Sequence, residues 1–75
     1  MLKYTRGGIV GVKNKLKEIR MREYAEDPKE FAKRLNVNIK TYYVWENGAI
    51  LPGSKTMFEI AKILNKKVDD IWWLE

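Results

Sequence analysis

Apolar positions recur at helical spacing in five successive segments of this chain, after a first stretch in which they do not. In residues 1–13, MLKYTRGGIVGVK, glycines 7, 8 and 11 break any helix, and Leu2, Tyr4, Ile9, Val10 and Val12 suit two short strands around Gly7-Gly8. An isolated hairpin is marginal in water unless it packs on something. The stretch therefore reads as an arm, either loosely docked or a β-ribbon paired with the domain or with a second copy. NKLKEIRMREY (14–24) predicts the first helix, with Asn14 as N-cap and Leu16, Ile19 and Tyr24 on one stripe. Asp27 caps the second, with Pro28 at its first position and Glu30 three residues on, as a capping box requires. Phe31, Ala32 and Leu35 form its inner face. Asn36-Val37-Asn38 interrupts, and Asn38 can cap a third helix in which Thr41, Tyr42 and Trp45 share a face, leaving Ile39, Lys40, Tyr43, Val44 and Asn47 to point elsewhere. Gly48 is a C-terminal stop. A fourth helix, SKTMFEIAKIL, is capped by Gly53 or Ser54, turns Met57, Phe58, Ile60, Ala61 and Leu64 inward, and ends at Asn65. The last segment, KVDDIWWLE, reads as a short helix whose core residues are Val68, Ile71 and one of the two tryptophans.

Two helices of about two turns joined by a three- to four-residue turn match the helix-turn-helix pattern. Seventy-five residues make one small domain, with an arm at 1–13 and the helical domain at 14–75. Cysteine and histidine are both absent, which excludes disulfides and the usual zinc constellations. No metal, cofactor or catalytic residue is expected, and the chain does not read as an enzyme. Asp69 and Asp70 suit the positive end of a helix dipole better than paired-acid catalysis. No apolar run approaches a membrane span, and residues 1–12 are too polar and glycine-rich for a signal peptide, so a membrane partner is not expected.

The net charge of +5 lies wholly in residues 1–37, which hold ten Lys/Arg against five Asp/Glu; residues 38–75 hold five of each. A one-sided basic surface suits a polyanion such as nucleic acid, or simply aids solubility. Lys3, Arg6 and Lys13 are candidate arm contacts to phosphates or a minor groove.

The order of elements resembles the Cro/C1-type helix-turn-helix family of phage repressors and related regulators, the XRE family. The resemblance covers about residues 14–74 and rests on EFAKRLNV, the turn with Asn38, YYVWENG, and EIAKILNKKVDDIW. It implies an all-α fold: a five-helix lambda-repressor-like DNA-binding domain with an irregular or β-like N-terminal arm. By position it implies that the third helix enters the major groove and that Asn38, Ile39, Lys40, Tyr43 and Val44 face DNA. Asn47 and the loop after it resemble a phosphate-anchoring segment, and Lys55 adds a charged contact. Arg20 resembles a first-helix arginine paired with Glu46. Four features depart from the family's usual pattern. Pro28 stands where glutamine commonly contacts DNA, the link between the first two helices is about one residue longer, Asn36 replaces the usual glycine, and Lys40 is the one charge on the reading face.

The implied function is a sequence-specific DNA-binding transcriptional repressor, acting on double-stranded DNA as a homodimer at an inverted repeat. The implied setting is the cytoplasm of a bacterial or phage-infected cell, with a phage or mobile-element origin. The alternative is a protein-interaction module on the same fold, antitoxin-like or a co-regulator. Pro28, the aliphatic reading face and an interface at Trp72, Trp73 and Leu74 favour it, because exposed apolar patches mark partner surfaces.

Overall fold

The computed structural model describes residues 4–5, 8–9 and 12–74, and its five α-helices are held together at the ends of the chain by a two-stranded sheet. Strands β1 (Tyr4–Thr5) and β2 (Gly8–Ile9) pair antiparallel with each other. Strand β3 (Val12–Asn14) pairs antiparallel with β4 (Trp72–Leu74), setting Val12 opposite Leu74, Lys13 opposite Trp73 and Asn14 opposite Trp72. Helix α1 (Leu16–Ile19) runs directly into a π-helical turn, Arg20–Tyr24. Then come α2 (Pro28–Arg34), α3 (Ile39–Glu46), α4 (Ser54–Ile63) and α5 (Val68–Ile71). Among the described residues no helix is long and apolar enough to cross a membrane.

Local chemistry sets the helix ends. Asp27 Oδ1 accepts from Glu30 N–H at 2.8 Å while Glu30 Oε1 accepts from Asp27 N–H at 3.0 Å, a reciprocal capping box with Pro28 just inside it. Asn38 Oδ1 accepts from Thr41 N–H at 2.8 Å and starts α3. Asn36 and Asn65 take the left-handed conformation, at φ 63° and 56°, where their short side chains are tolerated. Each is followed by a backbone bond back into its helix, Val37 N–H to the Ala32 carbonyl and Lys66 N–H to the Ala61 carbonyl, which satisfies a carbonyl the helix leaves free. The first helix ends in a wider turn. A π turn holds one residue more than an α turn, and Ala25 at φ 50° then ends it with its N–H on the Arg20 carbonyl.

The core collects Leu16 and Ile19 of α1, Phe31, Ala32 and Leu35 from α2 and its end, Tyr42 and Trp45 of α3, Ile60, Ala61 and Leu64 from α4 and its end, Ile71 of α5 and Trp72 of β4. Phe31 stands at its centre, 5.5 Å from both the Tyr24 and the Tyr42 rings.

Three expectations are corrected. The first helix begins at Leu16, with Lys15 as its N-cap, and Asn14 ends β3 instead. The segment after Lys67 is helical only to Ile71; Trp72–Leu74 is extended, because β3 offers it a hydrogen-bonded partner. Strand alternation therefore separates the tryptophans, with Trp72 turned into the core and Trp73 outward. Phe58 is 67% exposed rather than inward. It lies about 100° round the helix from half-buried Met57, past the edge of the stripe formed by Ile60, Ala61 and Leu64.

Candidate nucleic-acid interface

Helix α3 is fixed from beneath and open above. Tyr42 and Trp45 enter the core, Ile39 and Val44 pack half-buried against its edge, and Asn38, Lys40, Tyr43 and Asn47 are exposed. Lys40, Tyr43 and Asn47 follow at spacings of three and four, so they share one outward stripe. Tyr43 is 48% exposed. Asn38 uses its side-chain oxygen on the cap, and its amide nitrogen is left to donate to another partner. Asn47 Oδ1 accepts from Ala49 N–H at 2.9 Å, which shapes the loop that leaves the helix. Lys55 is exposed in the first turn of α4.

Beneath this stripe lies an ion pair. Arg20 is 8% exposed and donates from Nε to Glu46 Oε2 at 3.1 Å and from Nη1 to the Glu26 carbonyl at 2.9 Å. Tyr42 donates its hydroxyl to the same Glu46 oxygen. Burial works against the Arg20 charge, but its hydrogen bond and attraction to Glu46 more than offset that, and its pKa is raised. Burial, then Glu46, pushes the Tyr42 hydroxyl well above the ordinary tyrosine range, so it stays a donor. A second pair lies outside it. Arg34 clamps Glu26 with two bonds, at 2.9 and 2.8 Å, and sits 4.4 Å over the Tyr24 ring. The Arg34 bonds hold the Glu26 carboxyl below its usual range. The π turn, α2 and α3 are thereby joined through one chain of charged groups.

The remaining candidates are spread over other surfaces. Lys3 and Arg6 lie outside the described residues. Lys13 is exposed on the outer face of the β3·β4 sheet, opposite Trp73. Of the three terminal apolar residues, Trp72 is 4% exposed and belongs to the core, whereas Trp73 and Leu74 are 38% and 73% exposed. Lys15 Nζ stands 5.7 Å from the centre of the Trp73 ring. A hollow between α2 and the start of α3 brings Lys29 and Lys33 beside Asn38 and Ile39. Sequence reasoning passed over these two lysines, although their spacing of four on the outer side of α2 was a signal for them.

The stripe presents one cation, one phenol and one amide over a basic flank, donors suited to phosphate oxygens and base edges. Residues 16–71, 56 of the 75, match the model of a helix-turn-helix family. A comparison with curated proteins finds no match.

Proposed function

The chain belongs to the Cro/C1-type helix-turn-helix family, the XRE family, whose members are DNA-binding regulators, and on that premise we propose that it is a sequence-specific repressor bound to an inverted repeat as a dimer. The observation that carries this reading is the outward stripe of Lys40, Tyr43 and Asn47 on a helix whose opposite side is locked into the core. In the proposed complex α3 lies in the major groove. Lys40 donates to guanine O6 and N7 or to a phosphate, and Tyr43 bonds a base edge or phosphate. The exposed edges of Ile39 and Val44 meet thymine methyl groups. Asn38 contributes its amide nitrogen at the start of the helix. Asn47 and Lys55, with Lys29 and Lys33 on the flank, hold the phosphate backbone and supply the salt-dependent part of the affinity. Two copies set two such helices in successive major grooves, about 34 Å apart on one face of the duplex, and occupancy near a promoter excludes polymerase.

Selection from random duplex DNA tests this. An enriched inverted repeat is expected, with half-sites about one turn apart. Lys40→Ala and Tyr43→Ala should each weaken the selected site by about 1–3 kcal/mol and relax the preference at one position of each half-site. Failure to enrich any sequence over random duplex sinks the proposal.

The protein-interaction reading is favoured by a different observation, the exposure of Ile50, Leu51, Trp73 and Leu74. Binding measured at low and moderate salt separates the two, since a DNA complex weakens steeply as salt is added.

A further inference from the structure

We propose that Asn14 is a positioning residue for the DNA-reading helix: one amide group both starts α1 and holds the end of α3. This rests on the reading of α3 as the helix that meets DNA. Asn14 Oδ1 accepts from Leu16 N–H at 2.9 Å, taking up one of the donors a helix leaves free in its first turn. That bond decides which end of the amide is nitrogen, and Nδ2 then points at the Trp45 carbonyl, 3.2 Å away. The Trp45 carbonyl lies in the last turn of α3, where carbonyls lack partners within the helix, and it also accepts from Gly48 N–H at 3.1 Å. Tyr43 and Asn47 flank it, so the group that Asn14 grips is the backbone carrying two of the three outward side chains.

Asn14 is itself held. It stands opposite Trp72 in the β3·β4 pair, and the next residue, Lys15, donates its N–H to the Ile71 carbonyl at 2.9 Å. Its side chain borders a small crevice of about 80 Å³ that Trp45, Gly48, Ile50 and Trp72 also line. The end of α3 therefore has two independent anchors. Glu46 ties a side chain to Arg20, and Asn14 ties the backbone to the terminal sheet. The first fixes the depth of the helix in the domain. The second fixes where its last turn points, and neither anchor needs to touch DNA.

Asn14→Asp separates the two halves of the amide. The variant keeps the shape and an oxygen for Leu16 N–H, with a negative charge that suits a helix start. It sets a second oxygen against the Trp45 carbonyl, so the grip on α3 is lost. Asn14→Ser keeps a capping oxygen without the added charge and cannot reach Trp45. The test is amide hydrogen exchange together with DNA binding. In both variants the N–H groups of Asn47, Gly48 and Ile50, which bond to Tyr43, Trp45 and Val44, are expected to lose about tenfold in protection. Leu64 N–H in the core is expected to keep its own. In Asn14→Asp, the lost protection should return as the pH falls and the introduced carboxyl becomes a donor again. Affinity for the selected duplex should fall about tenfold in both variants, roughly the worth of one hydrogen bond, while weak binding of Asn14→Ser to random duplex is unchanged. Unchanged protection at these three amides, or a loss spread evenly over the whole core, overturns the anchor. Should the wild-type chain select no duplex, the reading of α3 fails, and the exchange pattern still decides whether Asn14 holds its end.

Discussion

Replacing Glu46 with alanine is expected to lower the stability of the domain by about 3 kcal/mol, seen as a fall in the urea midpoint with the slope unchanged. One Glu46 oxygen receives both Arg20 Nε and the Tyr42 hydroxyl. Its removal leaves a guanidinium that is 8% exposed without its carboxylate, and a fully buried phenol without the oxygen it donates to. A buried donor stripped of its partner bears the full desolvation penalty, which exceeds the net worth of the lost bond. The side chains of the pair are 10% and 13% exposed, so water screens them little. Arg20→Ala should cost about as much, for the mirrored reason. The double variant should then be markedly more stable than the two single losses add up to, because it strands no charge. A cycle with no coupling, or a specificity change larger than the stability change, would remove the ion pair from its structural role.

Phe31→Ala carries the largest expected effect. The ring is fully buried, lies at a tilt to Tyr24 and meets Tyr42 nearly edge-on. Deleting it should cost about 4 kcal/mol through lost burial and the cavity left behind. A 75-residue domain is held by about 4–11 kcal/mol in all. The variant is therefore expected to lose a third or more of that stability, with a midpoint far below the parent's and a broader thermal transition by circular dichroism. Phe31→Leu fills most of the space and should cost about 1–2 kcal/mol with cooperativity kept. An alanine variant that melts as sharply as the parent, within a few degrees, would show that the aromatic trio is not the centre of the core.

Where chemistry is local, the sequence could be read directly. Asp27, Glu30 and Pro28 spell a capping box within four residues, and Asn38 spells a cap within three, so the boundaries of α2 and α3 followed from side chains beside them. The inner faces of those helices were legible for the same reason. Phe31, Ala32 and Leu35 on one helix and Tyr42 and Trp45 on the next repeat at the helical period. What escaped was non-local. Trp72–Leu74 is too short to show an alternation, and its strand exists only because Val12–Asn14 lies alongside. Asn14 reads as the N-cap from sequence, yet it ends β3 and Lys15 is the N-cap; the Asn14 side chain still takes the Leu16 N–H two residues on, and its hold on Trp45 links positions 31 apart, beyond any periodicity. Of the candidate site, the exposed Lys40, Tyr43 and Asn47 were readable as the complement of the buried face of α3, but the same complement included Ile39 and Val44, which pack half-buried against the core. The flank of Lys29 and Lys33 emerged only once α2 was set against the start of α3.

The β3·β4 pair bears on the order in which the molecule assembles. Val12 and Leu74 are 62 residues apart, and a loop of that length must close before their strands can meet. The central helices are neighbours in sequence and need no such closure, so they are expected to supply the folding nucleus, with the terminal sheet joining after the barrier. Val12→Ala should then leave the refolding limb of the chevron in place and raise the unfolding limb, a φ-value near zero. The sheet that orients the last turn of α3 would be the last part of the molecule to form and the first to open.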